Sequence, residues 1–414
     1  MTKQRIYAAV TLLLALTSAS HAQARNDSLA VRLQRAEAAI ETLQKQLAEQ
    51  ADQGVKSRSR AEVEIFGRVL MNGFANNRRV NNVDNPQFVK PDTVGGFPAR
   101  GIGMAIRQTR LGVAVHVPEV WGGKFDGDME VDFAGGQQPS SGGRTFPLMR
   151  LRTARGFVRW NHAELMIGQE SPLVSGLNPV SPTAVGTPLF AAAGNLWLWL
   201  PQIRFGVEGG GNFRFGTQVA VLAPTSGDPA GAFDTDNDLA ERSSRPYIQD
   251  RAYIKWGNEL VREIGCGYHI GWLAPTTSSA LVKSDAITCD AKLPIVDWLE
   301  LRGEAFSGDA LKGLGGGGIG QSLVPITNTA IPTQGGWAQI NLTPISTLQF
   351  GAGCGTDQPD RVGTRRRNDS CAGYAIIRPT GPIFLGAEYR RTRTGYATSR
   401  FSNDHVTLAA GFEF

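Results

Sequence analysis

The sequence predicts an all-β protein, a 16-stranded antiparallel transmembrane β-barrel that follows a short N-terminal coiled-coil helix. Three observations predict it. The first residues have the pattern of a secretory signal, and many segments of period-two hydrophobicity follow, separated by alternately short and long loops. The chain ends in a strand with one apolar face, formed by Val406, Leu408, Ala410, Phe412 and Phe414. A closed barrel is the β structure that crosses lipid with every backbone polar group paired.

Residues 1–24 are predicted to be a signal peptide. Lys3 and Arg5 supply the positive start, residues 8–16 form a short apolar run, and residues 22–24 are suited to cleavage. No other apolar run approaches the roughly 18 residues of a transmembrane helix. The formal net charge is +5, so removal of these two basic residues leaves only +3. That balance does not favour nucleic acid, which needs a clustered basic face.

Residues 25–50 are predicted to form a periplasmic coiled-coil helix, and residues 51–61 a polar linker. Apolar residues recur there at alternating spacings of four and three, as in the a and d positions of a heptad. Two interpretations remain open, a small coiled coil that helps three chains assemble or a single amphipathic helix against the barrel. The heptad positions are Leu29, Leu33, Ala36, Ile40, Leu43 and Leu47.

The barrel is predicted to span residues 62–414, because helical periodicity stops at Glu62 and alternation of apolar and polar residues replaces it. At about 10 residues per strand, this length accommodates about 16 strands. The predicted strands are 62–76, 105–117, 124–134, 148–160, 163–169, 202–208, 212–222, 247–257, 262–273, 283–295, 298–306, 336–344, 347–355, 370–378, 383–392 and 403–414.

The connections between these strands are alternately short and mostly long, which is typical of outer-membrane barrels with short periplasmic turns. Both chain ends are therefore expected in the periplasm, and Phe412 with the terminal Phe414 is expected to be the signal for the barrel-assembly machinery. A soluble secreted sandwich or propeller would not explain the alternation of loops. The long connections are 77–104, 170–201, 223–246, 307–335 and 356–369.

Four stretches in the first half of the chain resemble the trimeric outer-membrane porins of the DcaP type and, more distantly, the phosphate-selective porins. They are the heptad segment, residues 107–112 (RQTRLG), residues 123–133 (GKFDGDMEVDF) and residues 151–156 (LRTARG) with 167–169 (IGQ). The resemblance implies a homotrimer of 16-stranded barrels that passes small anions such as dicarboxylates or phosphate. The four cysteines depart from the pattern of these porins, which leaves the natural substrate open.

Charged residues opposite the apolar face of each strand are predicted to line the pore. Two interpretations remain open: the charges neutralise one another in the wall, or some arginines are left over at the constriction and attract anions. Arg155 and Arg159 have the opposite parity from Arg150 and Arg152, which requires either a β-bulge or a position near the periplasmic rim. The predicted lining residues are Arg107, Arg110, Arg150, Arg152, Arg204, Arg214, Arg251, Asp126, Asp128, Glu130 and Asp132.

The connection 170–201 is predicted to narrow the pore. Glu170 is its one charged residue, and it contains the apolar stretch 196–200 with Trp197 and Trp199. Such a loop would be costly in water, so we expect it to fold inward or to pack at a trimer contact. An interfacial aromatic belt is the alternative for the two tryptophans. With so little charge in the loop, selectivity would depend on the wall arginines, and charge reversal at Arg150 or Arg152 should favour cations.

Two pairs of cysteines are placed symmetrically about outer loops, Cys266 with Cys289 and Cys354 with Cys371. Antiparallel pairing would bring each pair side by side, so either cross-strand disulfides or free buried thiols are expected. Asp234, Asp236 and Asp238 alternate on an outer loop. They could ligate a cation, but a solvated acidic loop is the simpler interpretation, and no metal site is predicted.

The function predicted from these features is a porin for passive diffusion of small hydrophilic solutes, with a preference for anions. The alternative is a structural envelope barrel that tethers the outer membrane through its N-terminal helix. No enzymatic activity and no cofactor are expected, since the sequence has neither G-x-S-x-G nor H-E-x-x-H. The expected partners are outer-membrane lipid, lipopolysaccharide and small anionic solutes.

Overall fold

The computed structural model describes residues 61–91, 100–135, 147–227, 236–276, 280–360 and 363–414. The predicted signal peptide, the coiled-coil helix and all but the last residue of the linker lie outside the described residues. Contacts divide the chain into the units Met1–Val63 and Glu64–Phe414, and the second unit carries the barrel.

The described residues form one closed antiparallel sheet of seventeen strand segments, in which β1 pairs with both β17 and β2. Because β2 and β3 are two parts of one interrupted strand beside β1, the barrel has the predicted sixteen strands. The segments are β1 Glu62–Asn76, β2 Gly101–Ala105, β3 Arg110–Val120, β4 Gly123–Gly135, β5 Leu148–Arg159, β6 Ala163–Glu170, β7 Leu200–Gly210, β8 Phe213–Leu222, β9 Tyr247–Trp256, β10 Arg262–Leu273, β11 Val282–Val296, β12 Leu299–Asp309, β13 Pro332–Ile345, β14 Leu348–Pro359, β15 Arg365–Thr380, β16 Ile383–Tyr396 and β17 Arg400–Glu413.

The apolar face predicted for the last strand is the outer face of the barrel. Leu408 is 63% exposed, whereas its neighbours Thr407 and Ala409 are buried on the lumen side. Phe412 lies opposite Val69 of β1, so the final strand closes the barrel. The side chains therefore alternate between an apolar outside and a largely polar inside, as expected for this class of barrel. Among the described residues, no helix has the length and apolarity needed to cross a membrane.

The last five strand segments extend further at their outer ends than the sequence predicted. The connection predicted over 356–369 shrinks to residues 360–364, and β16 and β17 are joined by residues 397–399 alone. The outward positions at these ends carry charged or polar residues, such as Asp369 and Arg393, which end the hydrophobic alternation although the backbone ladder continues. Apolar periodicity therefore reports only the part of each strand with an apolar outer face.

The interior of the barrel is filled from the outer side by three connections. Residues 171–199, between β6 and β7, are the most extensive, and their Leu173 and Leu196 are almost fully buried. Leu196 packs with Leu311 and Leu314 of the connection after β12, and Phe306 of the wall joins the same cluster. The inward course predicted for the connection 170–201 thus produces a hydrophobic core inside the barrel, where the loops meet the wall.

Candidate pore constriction

A compact group of ion pairs lies where β3, β4 and β5 face the lumen. Asp132 is fully buried, and its Oδ2 accepts hydrogen bonds from Arg150 Nη2 at 2.6 Å and Arg152 Nη1 at 2.8 Å. Arg152 Nε also donates to Glu130 at 2.6 Å, and Arg110 Nη1 lies 3.5 Å from Glu130. Each guanidinium of this group therefore has a carboxylate partner, an arrangement suited to burial in the wall.

A β-bulge places the arginines of β5 on one side despite their parity. The partner of Glu130 is Thr153 and that of Val131 is Leu151, so Arg152 is the extra residue. Beyond the bulge, Arg155 Nε donates to Asp128 at 2.8 Å, which puts it on the acidic side of β4. The bulge is one of the two explanations that the sequence left open for the change of parity.

These arginines also hold the backbone of the inward loop. Arg150 Nη2 donates to the carbonyl of Gly186 at 2.5 Å, and Arg152 Nη1 donates to that of Val185 at 2.8 Å. Gln108 accepts hydrogen bonds from both amides of the same two residues, at 2.7 and 2.9 Å. The peptide groups at 185–186 are thus held from both sides, which fixes how far the loop reaches into the lumen.

The predicted tryptophans of the loop lie against the same arginines. The guanidinium of Arg152 stacks over the ring of Trp199 with its carbon 4.3 Å from the centroid, and that of Arg150 lies at 5.2 Å. Trp197 meets Trp199 edge to face at 5.3 Å. Cation–π contacts of this kind combine the charge of the wall with the apolar body of the loop.

The other predicted lining arginines divide into paired and unpaired groups. Arg107 is 7% exposed and bonded to Asp84, while Arg251 donates to Asp290 at 2.6 Å and to Glu263 at 2.7 Å. Arg214 lies 3.4 Å from Glu208 near the periplasmic end. Their charges are therefore largely balanced within the wall.

Arg204 of β7 differs from them. Among the described residues, no carboxylate lies within ion-pair distance of its guanidinium, whose Nη2 donates to the carbonyl of Ser171 at 2.7 Å and to Gln202 at 3.0 Å. It lines a cavity of about 690 Å³, which Asp128, Arg155 and Glu170 also line. Arg155 is bonded to both of these carboxylates, so Arg204 supplies the unbalanced charge of this cavity.

Sequence reasoning missed the polar residues that attach the first outer loop. Asn368 Nδ2 donates to the carbonyls of Gln87 and Ala192, and Arg390 Nη1 donates to the side chain of Asn85. All three contacts join segments far apart in the chain. The available signal was the row of inward polar residues at the outer ends of β15 and β16, where water-filled lumen and buried loop contacts give the same pattern.

The predicted cysteine pairs lie directly opposite each other on the outer face of the barrel. Cys266 pairs with Cys289 and Cys354 with Cys371 in the strand register, and the structure joins both pairs as disulfides with Cα atoms 4.0 Å apart. Formation of these bonds in the exported protein stays a prediction.

The acidic outer loop uses its last aspartate to organise the backbone. Asp238 accepts hydrogen bonds from the amides of Ser226 and Ala240 at 2.7 Å and of Glu241 at 2.9 Å. Burial raises the pKa of Asp238, but these bonds outweigh it and hold the pKa below its usual value of 3.8. Asp236 is exposed, and Asp234 lies outside the described residues. No cluster of three or more His, Cys, Asp or Glu suited to a metal occurs within the described ranges.

Comparison with solved structures identifies the architecture. The outer-membrane channel DcaP of Acinetobacter baumannii matches with a TM-score of 0.65 and 17% identity, over 87% of this chain and 99% of that one. An anion-selective porin from Comamonas acidovorans matches with a TM-score of 0.55 and 14% identity, over 86% and 100% of the two chains. The chain has the fold of these outer-membrane channels.

A third similar structure is OprB of Pseudomonas putida, with a TM-score of 0.53 and 10% identity, over 89% of this chain and 96% of that one. No protein-family model and no curated protein matches the sequence. The resemblance noted in the sequence thus agrees with the structural likeness, which at these identities concerns the fold.

Proposed function

We propose that the protein is an outer-membrane porin for passive diffusion of small hydrophilic solutes with a preference for anions, exported by its N-terminal signal peptide. The observation that carries the proposal is Arg204, whose guanidinium faces the cavity beneath the inward loop with no carboxylate partner among the described residues. A pore selects by width and by the charge at its narrow part. The proposal assigns no catalytic residue.

The anion preference depends on which arginines remain available to a solute. Arg107 and Arg152 are buried with carboxylate partners, so their charges are offset in the wall. Arg204 presents planar N–H donors that suit a carboxylate or phosphate. The printed description of the Comamonas neighbour as anion-selective supports the same direction, and dicarboxylates or phosphate are the solutes we propose.

Planar-bilayer recordings in a KCl gradient test the proposal. We expect an anion-selective reversal potential that Arg204→Glu moves toward cations, because the substitution inverts the unbalanced charge of the cavity. Arg214→Glu is the matched control, since Arg214 shares its region with Glu208 and Lys255. An Arg204→Glu channel with the reversal potential of the unmodified protein would refute the role of Arg204. Block by dicarboxylate or phosphate would identify the solute class.

A homotrimer is part of the proposal, because the predicted heptad segment 25–50 would bring identical chains together. Conductance steps in groups of three, together with a trimer mass in detergent, are the expected result. Single independent steps from a monomeric species would contradict it.

A second function, a structural barrel that tethers the outer membrane through its N-terminal helix, is favoured by one observation. The lumen-facing residues of β15–β17 are covered by the inward loops, and Asn368, Thr394 and Asn403 are completely buried. That half of the barrel leaves no room for a solute along these residues. A folded barrel whose gel mobility changes on heating but which conducts no ions would favour this alternative.

A further inference from the structure

The outer face of the barrel carries a cluster of arginines on three adjacent strand segments. Arg367 lies on β15, Arg391 and Arg393 on β16, and Arg400 on β17. All four are exposed, and the side chains of Arg367 and Arg400 are each 54% exposed. They share the outward parity of Leu385 and Leu408, so they face away from the lumen. We call these four residues the outer arginine cluster.

Two aspartates orient the cluster without neutralising it. Asp369 lies 2.9 Å from Arg367 and 2.7 Å from Arg400, and Asp404 lies 3.7 Å from Arg391. Asp369 is also the register partner of Arg393. Four guanidinium groups and two carboxylates leave a formal charge of +2. Exposed pairs of this kind add little stability, but they hold the guanidinium groups in fixed positions.

The height of the cluster on the wall is informative. Along β16 the outward residues are Leu385, Ala387, Tyr389, Arg391 and Arg393 in order, so the charge begins immediately after the tyrosine. Along β17 the apolar residues Leu408 and Val406 give way to Asp404 in the same way. The cluster lies toward the short outer turn at 397–399. An aromatic residue between an apolar band and a charged band is typical of a membrane–water boundary.

We propose that the outer arginine cluster binds the phosphate groups of a phosphorylated glycolipid in the outer leaflet, with its acyl chains on the apolar band below. This inference rests on the outer-membrane placement proposed above. Its support is the charge complementarity of arginine with phosphate and the continuity between the cluster and exposed Leu385 and Leu408. A soluble anion would match the charge alone, whereas a glycolipid matches both bands.

The test is titration of the full-length purified protein with bisphosphorylated lipid A in detergent, with binding measured by native mass spectrometry. The test variant is Arg367→Gln with Arg391→Gln and Arg393→Gln. Each basic residue near an anionic membrane surface contributes about fivefold in binding, so we expect affinity to fall by about 100-fold. The control is Arg245→Gln with Lys283→Gln, two outward cations near Trp272 and Tyr268, which should bind as the unmodified protein does.

The comparison ligands separate the sources of phosphate. Monophosphorylated lipid A should bind more weakly than the bisphosphorylated form, and inorganic phosphate should not compete at equal concentration. Equal affinity of the triple variant and the unmodified protein would overturn the proposal, as would equal binding of phosphatidylglycerol. Loss of oligomer mass in the triple variant, with lipid affinity unchanged, would assign the cluster to contact with a second copy of the chain.

The conductance assay keeps this proposal separate from the porin proposal. The cluster faces away from the lumen, so the triple variant should conduct as the unmodified protein does. If the protein does not conduct but the variant still loses lipid binding, the porin proposal fails and the glycolipid site stands. Heat-dependent gel mobility establishes that each variant is folded.

Discussion

At the scale of single residues, the arginines of the constriction have two roles. Arg152 is 5% exposed and bonded to Glu130, Asp132 and the carbonyl of Val185, so its charge is used to hold the loop. Arg204 is bonded only to neutral groups among the described residues. The sequence placed both residues in the lumen through their parity, but the difference between them depends on contacts with residues distant in the chain.

Removal of one partner of the buried pair should be destabilising. Arg152→Met would leave the fully buried Asp132 with Arg150 alone, and the expected loss in unfolding free energy is about 3–5 kcal/mol. Denaturant-dependent unfolding in detergent measures it. Arg159→Met, at a more exposed pair with Asp126, is the control and should cost less than about 1 kcal/mol. Equal losses for both would show that burial does not determine the effect.

The lowered pKa of Asp238 predicts how the acidic outer loop responds to pH. The folded loop favours the carboxylate, so its stabilisation is complete above the unfolded value of 3.8 and is lost as pH falls through the lower folded value. Amide hydrogen exchange at Ser226 and Ala240 should therefore accelerate below about pH 4. In Asp238→Asn the acceleration should be absent, with faster exchange already at neutral pH. An unchanged pH profile in this variant would contradict the assignment.

At the scale of elements, the inward loop fits the wall through glycine. Gly194 has a φ of +101°, and a Cβ there would overlap the carbonyl oxygen of Gly336 on β13. The close approach lets Phe190 pack against Trp337, with ring centroids 6.3 Å apart. Glycine is the residue that accepts this backbone conformation without strain. The sequence shows many glycines, but it does not show which of them meets another strand.

Gly194→Ala should displace the inward loop and raise the single-channel conductance, because the loop narrows the lumen. Gly176→Ala in the same loop is the matched control, since its φ is negative and no atom lies within 4 Å of the position that an alanine Cβ would take there. Bilayer recordings compare the two. A larger conductance in Gly176→Ala than in Gly194→Ala would refute this account.

At the scale of the whole molecule, the sequence predicted the barrel well, because outward positions must be apolar wherever they meet lipid. Residues such as Leu385 and Leu408 made the strands visible, and the short periplasmic turns set their number. The outer ends were underestimated because Arg393 and Asp369 continue the ladder without an apolar face. The interior was harder to predict, since Asn368 gives the same alternation whether it meets water or a loop carbonyl.

The attachment of the loop at Val185 and Gly186 has a consequence for how such a channel could diversify. The wall contacts there are made to backbone carbonyls and amides, not to the loop's side chains. Side chains along that segment are therefore interchangeable while the frame around them stays constant. Sieving by size could then change by substitution within one loop, independently of the sign of charge that Arg204 imposes.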